Sequence, residues 1–501
     1  MSGTKTVGLT IDGRAVRVPE GASVLGAAEG AGIAIPHFCY HPAFAAEGSC
    51  RMCLVEIEGL PKLELSCSTA VREGLVVRTN TERVARARRD VLELLLAEHP
   101  LDCPVCDKAG ECRLQDYYEA YGPFPSRFAE PKEKRDKIVR IGRGLVLDRE
   151  RCILCTRCVR FLRRITGTGE LGVFERGVRA EIGAYDGAPV ETAYAGNLVD
   201  LCPVGAITSE DFRFKTRAWF LRRGATVCPG CGRGCAVVVE SVAGYPLGPG
   251  ARRVYRVRAG ENPAVNGHWI CDLGRAGRRE IDENRLGGSA VKGGRDGGTS
   301  WQTVVADLAA AILAVPVPGR SSAVAVVLNS RLTSEELALA KRIFVDGLGL
   351  DRVFFADPKP GEADGFLLTA DRTPNVRGAS QAGFSPRPPE LGDLAAPVRV
   401  LIVFGPHLLE RFGAGELAAA LAGVPAKYLF SSHAGPLDGM ADAVVAVAVP
   451  AEKSGSFVNT AGLRQAFGRA LEPPPGVVAE GEALVRLARG LGLAAEGSDA
   501  R

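Results

Sequence analysis

Apolar and polar residues alternate from Thr6 to Val18 on both sides of Asp12-Gly13, a two-residue turn signal, and predict a β-hairpin. Ser23 then caps a short helix predicted to run through Ile33, with Ala and Leu on one face. Apolar residues return at helical spacing from Thr81 to His99, and Pro100 stops that helix. Pro123 to Arg143 is polar, basic and proline-containing, the pattern of a surface connection. Gly167 to Gly196 carries strand-like pieces between turn glycines and reads as a small β element. Gly287 to Thr299 is glycine-rich and reads as a linker or surface loop. Beyond it the pattern changes. Short apolar runs at Val324–Leu328, Gly365–Thr369, Val398–Phe404 and Ala443–Val449 alternate with helical stretches such as Ser334–Gly347, capped by Ser334, and Ala414–Ala422. Strand alternating with helix predicts an open, mostly parallel α/β sheet.

A chain of 501 residues is too long for one ordinary core and implies three or more domains. With 46% hydrophobic and 24% charged residues it has a soluble globular profile, and a net charge of +4 suits neither a nucleic-acid binder nor a polybasic membrane anchor. The N-terminus has no signal-peptide core, and the longest apolar run, Val304–Val317, is interrupted by Asp307 and falls short of a membrane span. The expected compartment is the cytosol, where close cysteine pairs read as metal ligands rather than disulfides. Gly413-Ala-Gly415 lacks the third glycine of a dinucleotide fingerprint, and there is no Walker or Ser–His–Asp signature.

The candidate chemistry lies between Cys39 and Cys271, which enclose all 15 cysteines. They fall into four sets. The first is Cys39, Cys50, Cys53 and Cys67. It follows the order hairpin, helix, cysteine loop of a plant-type ferredoxin, which holds a [2Fe–2S] cluster, although ten residues rather than four separate its first two thiols. Gly48 and its small neighbours let amides approach the sulfurs. A zinc knuckle would use two CxxC-like pairs, and this set has one. The second set is His99, Cys103, Cys106 and Cys112. The histidine stands four residues before a CxxCxxxxxC that lacks a fourth thiol, so either a His-ligated cluster or a Cys3His zinc site fits. The third set, Cys152, Cys155 and Cys158 with Cys202-Pro203, is a bacterial-ferredoxin run whose last member comes after a 43-residue insertion, and it suits one [4Fe–4S] cluster. The fourth is Cys228, Cys231, Cys235 and Cys271. Its spacing alone also allows zinc, but Gly230, Gly232 and Gly234 favour a cluster by permitting tight turns with positive φ. His37 and His41 flank Cys39 and read as packing beside it, while His268, His407 and His433 read as ordinary.

The long-loop first set, His99-x3-Cys-x2-Cys-x5-Cys, and Cys152-x2-Cys-x2-Cys with GNLVDLCPVGAIT resemble the large iron–sulfur subunit family of complex I, NADH:quinone oxidoreductase. The resemblance implies one [2Fe–2S] cluster in an N-terminal ferredoxin-like β-grasp domain (1–80), a His-ligated [4Fe–4S] domain (81–122) and a ferredoxin-like [4Fe–4S] domain (123–220). It further implies an additional [4Fe–4S] domain (221–285) found in some bacterial members and lying off the main electron path. ENPAVNGHWICDLGR around Cys271, Pro374–Phe384 and Glu452–Gln465 resemble molybdopterin oxidoreductases, so 286–501 is expected to be a reduced α/β domain of that type, without the cofactor. The fold class expected overall is multidomain α+β and α/β. The implied role is electron transfer, with no catalytic residue on this chain. The implied partners are a flavin-bearing NADH-oxidising subunit and hydrogenase-like connecting subunits. The implied place is the cytoplasmic face of the inner membrane, without direct insertion. An iron–sulfur/molybdopterin subunit of an NAD-linked formate dehydrogenase or hydrogenase complex shares part of the layout and is the alternative. A zinc-stapled interaction protein is the non-redox one.

Overall fold

Strands β1 (Thr6–Ile11) and β2 (Arg14–Pro19) pair antiparallel in the computed structural model, which describes residues 5–122, 125–244, 252–291 and 299–494. Asp12 and Gly13 take φ of 47° and 81°, so both turn positions are left-handed, as the hairpin turn requires. With β3 (Leu54–Ile57), β4 (Glu64–Leu65) and β5 (Leu75–Arg78) they form a sheet in the order β2-β1-β5-β3-β4, in which β1 and β5 run parallel. Helix α1 (Val24–Gly30) buries Val24, Leu25, Ala27 and Ala28 against it, and Ser23 Oγ accepts the Gly26 N–H at 3.1 Å. It ends before the expected Ile33, where Gly32 turns left-handed with φ 72°. Cys53 and Cys67 belong to the same apolar cluster as Leu9, Ile11, Val55 and Val77, so the ligand loop is pinned to a rigid core.

Helix α2 (Glu82–Glu98) starts at a Thr81 cap and ends at His99, and α3 (Arg113–Tyr121) starts at Cys112. The connection that follows is irregular as expected up to β6 (Val139–Gly142), although Pro123 lies outside the described residues. There the basic stretch becomes a strand, because it pairs with β7 (Leu145–Leu147), which also pairs with β10 (Ile207–Ser209). Helix α4 (Arg157–Phe161) carries Cys158, while Cys152 and Cys155 lie on the loop before it. The insertion between Cys158 and Cys202 forms the hairpin of β8 (Leu171–Phe174) and β9 (Glu181–Ala184), and α5 (Asn197–Leu201) delivers Cys202. These elements make one compact unit, Met1–Phe220.

The second unit, Leu221–Arg501, opens with an antiparallel sheet of β11 (Arg222–Val227), β12 (Ala236–Ser241) and β13 (Val254–Ala259), followed by α6 (Asp272–Asp282). Then come β14 (Ala290–Val291), α7 (Trp301–Leu313), β15 (Val324–Leu328), β16 (Val353–Phe355), β17 (Val400–Phe404), β18 (Ala426–Ser431) and β19 (Ala443–Ala446). They form one sheet in the order β14-β19-β18-β17-β15-β16, parallel except for β14, with an apolar core on each face. A hairpin of β20 (Gly455–Val458) and β21 (Arg464–Phe467) follows.

Three expectations change here. Part of the glycine-rich linker is β14; its residues 292–298 lie outside the described ones. The helix over Ser334–Ala340 is capped by Thr333, not Ser334, through a reciprocal box with Glu336, and its continuation to Gly347 widens into π-helix. Gly365–Thr369 is not a strand: Asp364 Oδ1 accepts the N–H groups of Phe366 and Leu368, and that turn takes amides a sheet would need.

Candidate metal centres

The first set lies on the loops that leave α1 and cross β3 and β4. Cys39, Cys53 and Cys67 are buried and Cys50 is half-buried. The sulfurs come in two side-by-side pairs, Cys39 with Cys50 and Cys53 with Cys67. In each pair the shared proton pushes one thiol down and its neighbour up. Two irons taking two thiolates each would use this arrangement. The Phe38 N–H points to Cys50 Sγ at 3.5 Å. Gly48 is left-handed (φ 70°), and so is Arg51 (φ 56°), a non-glycine residue that the sequence did not mark.

The second set is held between two helix ends. His99 closes α2, and Cys112 opens α3, with Cys103 and Cys106 on the 3-10 turn between. Burial pushes the His99 pKa down to about 4, so the imidazole is neutral, and its Nδ1 is buried without a hydrogen-bond partner. A buried ring nitrogen with nothing to bind is costly, and a metal removes the deficit. Burial pushes the Cys112 thiol up to about 11, against the opposing amides of Gln115 and Leu114. Gly205, three residues after Cys202, approaches so closely that a β-carbon there would overlap Cys106 Sγ.

The third set surrounds one small cavity of about 20 Å³, lined by all four of its thiols and by Leu147, Ile153, Ile182, Val204, Ala206 and Ile207. Burial raises Cys152 to about 12 and Cys155 to about 11, and it also raises Cys158. These three thiols carry charge only opposite a cation. Leu154 and Thr156 are left-handed (φ 52° and 58°), and the turn aims the Leu154 N–H at Cys152 Sγ, 3.4 Å away.

The fourth set belongs to the second unit. Cys271 caps α6, its Sγ accepting the Gly274 N–H at 3.4 Å, where the helix dipole favours a thiolate. Of the three glycines in the Cys228–Cys235 loop only Gly234 is left-handed (φ 64°), so the expectation that all three serve positive φ is corrected. Gly232 is needed for space: a β-carbon would overlap Thr460 Cγ2. The Gly232 carbonyl accepts from Thr460 Oγ1 (3.1 Å), that of Arg233 from Asn459 Nδ2 (3.3 Å) and that of Gly234 from Gln465 Nε2 (2.6 Å). Asn375 Oδ1 in turn accepts the Val458 N–H at 2.7 Å. The segments Pro374–Phe384 and Glu452–Gln465, singled out from the sequence, thus brace the fourth thiol loop.

All 15 cysteines are free thiols. Among the described residues no group of three or more His, Cys, Asp or Glu closes to the spacing of a single-ion site. An iron–sulfur cluster, when bound, takes up and returns one electron without making or breaking bonds to a substrate. Sequence reasoning missed Arg151, Arg157 and Arg160, buried beside the third set. Arg151 holds Asp102 through Nε (3.1 Å) and Nη2 (2.6 Å), next to Cys103. Their only signal is their place in or next to the cysteine run.

Comparison with known proteins places three family models on the first unit. They are a 2Fe-2S iron-sulfur cluster binding domain at residues 4–82, the NADH-ubiquinone oxidoreductase-G iron-sulfur binding region at 88–127, and the ferredoxin-like domain of NADH-quinone oxidoreductase subunit 3 at 142–208. The NADH-quinone oxidoreductase G subunit of Streptomyces coelicolor is 44% identical over 54% of this chain and 32% of its own length. The G subunit of Mycobacterium bovis is 36% identical over 98% of this chain and 59% of its own. The mitochondrial 78 kDa subunit of NADH-ubiquinone oxidoreductase from Candida albicans is 38% identical over 73% of this chain and 49% of its own. A crystal structure of an NAD+-reducing [NiFe]-hydrogenase aligns at a TM-score of 0.39 with 36% identity, covering 42% of this chain and 90% of the hydrogenase chain. The chain therefore spans from about a third to three-fifths of the length of these curated relatives. The matched regions bind [2Fe–2S] and [4Fe–4S] clusters, and the chain belongs to the G-subunit family of NADH-quinone oxidoreductases.

Proposed function

We propose that this chain relays single electrons through iron–sulfur clusters within an NADH:quinone oxidoreductase, from a flavin-bearing NADH-oxidising subunit towards quinone. The observation that carries the reading is the first unit: twelve donors in three sets, drawn together on loops pinned to small sheets, with His99 Nδ1 left free for a metal. Cys39, Cys50, Cys53 and Cys67 hold [2Fe–2S]. His99, Cys103, Cys106 and Cys112 hold one [4Fe–4S]; Cys152, Cys155, Cys158 and Cys202 hold another. Cys228, Cys231, Cys235 and Cys271 hold a third. The chain's own work is to fix the clusters in place and tune them through ligand type, burial and N–H···S contacts.

The same reading assigns hydrogenase-like connecting subunits as electron acceptors, and a position on the cytoplasmic face of the membrane held by the complex. The assignment without insertion is supported by the absence, among the described residues, of a single helix long and apolar enough to cross a membrane. The domain limits proposed are 1–80, 81–122, 123–220, 221–285 and 286–501. The last is a reduced molybdopterin-oxidoreductase-like domain whose remaining work is bracing. This is supported by the contacts of Asn459, Thr460 and Gln465 with the Cys228 loop.

Iron, sulfide, zinc and molybdenum counts on anaerobically purified protein, with EPR of the reduced sample, test this. One [2Fe–2S] and three [4Fe–4S] clusters give about 14 iron per chain. About 10 iron would leave the fourth site empty or filled by zinc. Stoichiometric molybdenum would overturn the bracing role and favour a formate-dehydrogenase-like enzyme.

A further inference from the structure

Two buried arginines lie between the first and third thiol sets. Arg157 and Arg160 sit on α4, and each is 5% exposed. Arg157 donates from Nη1 to the carbonyl of Leu201 (3.3 Å), the residue before Cys202, and from Nη2 to the carbonyl of Tyr40, the residue after Cys39. Arg160 donates from Nη2 both to the Cys155 carbonyl (3.2 Å) and to the Cys39 carbonyl, and from Nη1 to the Ala45 carbonyl (3.3 Å). Each guanidinium thus touches the ligand backbone of both sets.

Their charge is not balanced by carboxylates. Among the described residues Arg157 has no ion-pair partner, and Arg160 has only Glu47, at 3.8 Å and 40% exposed. The Nε of both is buried with no acceptor. Arg113, whose Nη1 lies 2.9 Å from His37 Nε2, adds a third positive charge felt at Arg157. Buried charges of one sign are expensive unless an opposite charge faces them. What Arg157 does face is the third set itself: it lines the small cavity that Cys152, Cys155, Cys158 and Cys202 surround. A guanidinium that only glued loops together would be served by carbonyls on one side and a carboxylate on the other. These two have ligand loops on both sides.

We propose that Arg157 and Arg160 are a shared counter-charge for the first and third sets, raising the reduction potentials of both clusters together. This rests on the reading of both sets as clusters. Each loaded set takes one electron from a reductant, gains one negative charge and changes no bond, so a nearby fixed cation favours the reduced form at either site. Both arginines are positioning residues: they act through the clusters and touch no substrate.

The test is an EPR-monitored redox titration of the full chain, purified anaerobically, with dithionite and mediators. The [2Fe–2S] signal and the [4Fe–4S] signal lost in Cys155→Ser are followed. In Arg160→Gln both midpoints are expected to fall, each by about tenfold in its reduction equilibrium, which is 59 mV for a one-electron couple. In Arg160→Lys, which keeps the charge, both return towards wild type. The signals of the His99 and Cys228 sets stay in place and report an intact fold. If Arg160→Gln loses iron from either set, Arg157→Gln is read the same way, and Arg160→Lys decides: wild-type midpoints support the counter-charge, and a joint fall overturns it. Unchanged midpoints in a fully loaded Arg160→Gln, or movement of one signal alone, overturn the proposal and leave the cluster reading standing. A wild-type chain without a [2Fe–2S] signal sinks the cluster reading and this proposal with it.

Discussion

At Gly205 a β-carbon would overlap the Cys106 sulfur, although Gly205 belongs to the loop of the third set and ligates nothing. Gly205→Ala is therefore expected to empty the second site, with iron analysis falling by about 4 of about 14 while the [2Fe–2S] EPR signal remains. His99→Cys is expected to keep the cluster but lower its potential, since a thiolate replaces a neutral ring. The shift is on the order of 100 mV downward and is read by EPR titration. The candidate ligands were legible because only cysteine and histidine supply these donors and their spacing is tied to turn geometry. The residues that shape the turns were less so. Arg51, Leu154 and Thr156 take left-handed φ that their side chains disfavour by roughly 1–2 kcal/mol, and nothing in a residue's identity announces that. Arg157 and Arg160 were missed, because burial of a charge depends on what the fold brings against it.

Single elements of the second unit depend on partners far away in sequence. Lys453, in the stretch before β20, is 3% exposed and reaches Glu336 (2.8 Å) and Glu480 (2.8 Å), while Glu336 also closes the Thr333 cap. Lys453→Met leaves two buried carboxylates facing each other, and a loss of about 3–5 kcal/mol is expected in denaturant titration. The apolar runs predicted the strands beside this triad, but a triad assembled from three separate segments has no local pattern to read. His407 and His433, read as ordinary, stand beyond the ends of β17 and β18, and burial holds both pKa values below the usual histidine value. Glu410 faces His407, and the Glu280 carbonyl faces His433. Below about pH 6.5 the unfolded chain binds protons that the folded chain refuses, so stability falls as pH drops through that window. Thermal melts from pH 7.5 to 5.5 should show this, and His407→Gln should flatten the slope.

The whole chain divides into two units, and each of the four candidate ligand sets lies within one of them. Expressed separately, residues 1–220 are expected to bind about 10 iron and residues 221–501 about 4, with matching EPR signals. A fragment that binds none while the intact chain binds all would show that its site needs the other unit. At this scale the alternation of strands and helices was enough to predict the parallel sheet. The bracing of the fourth thiol loop by residues near 460 was not predictable, because it joins positions more than two hundred residues apart.

The hairpin of β8 and β9 also bears on how the protein is made. It lies within the 43 residues between Cys158 and Cys202, which a ribosome adds in about 2 to 9 s. A hairpin closes in about 1–10 μs. Closing the hairpin therefore never limits the rate at which Cys202 reaches the other three thiols, and the paired strands shorten the gap it must cross. The insertion lengthens the chain between the third thiol and the fourth without lengthening the search by as much.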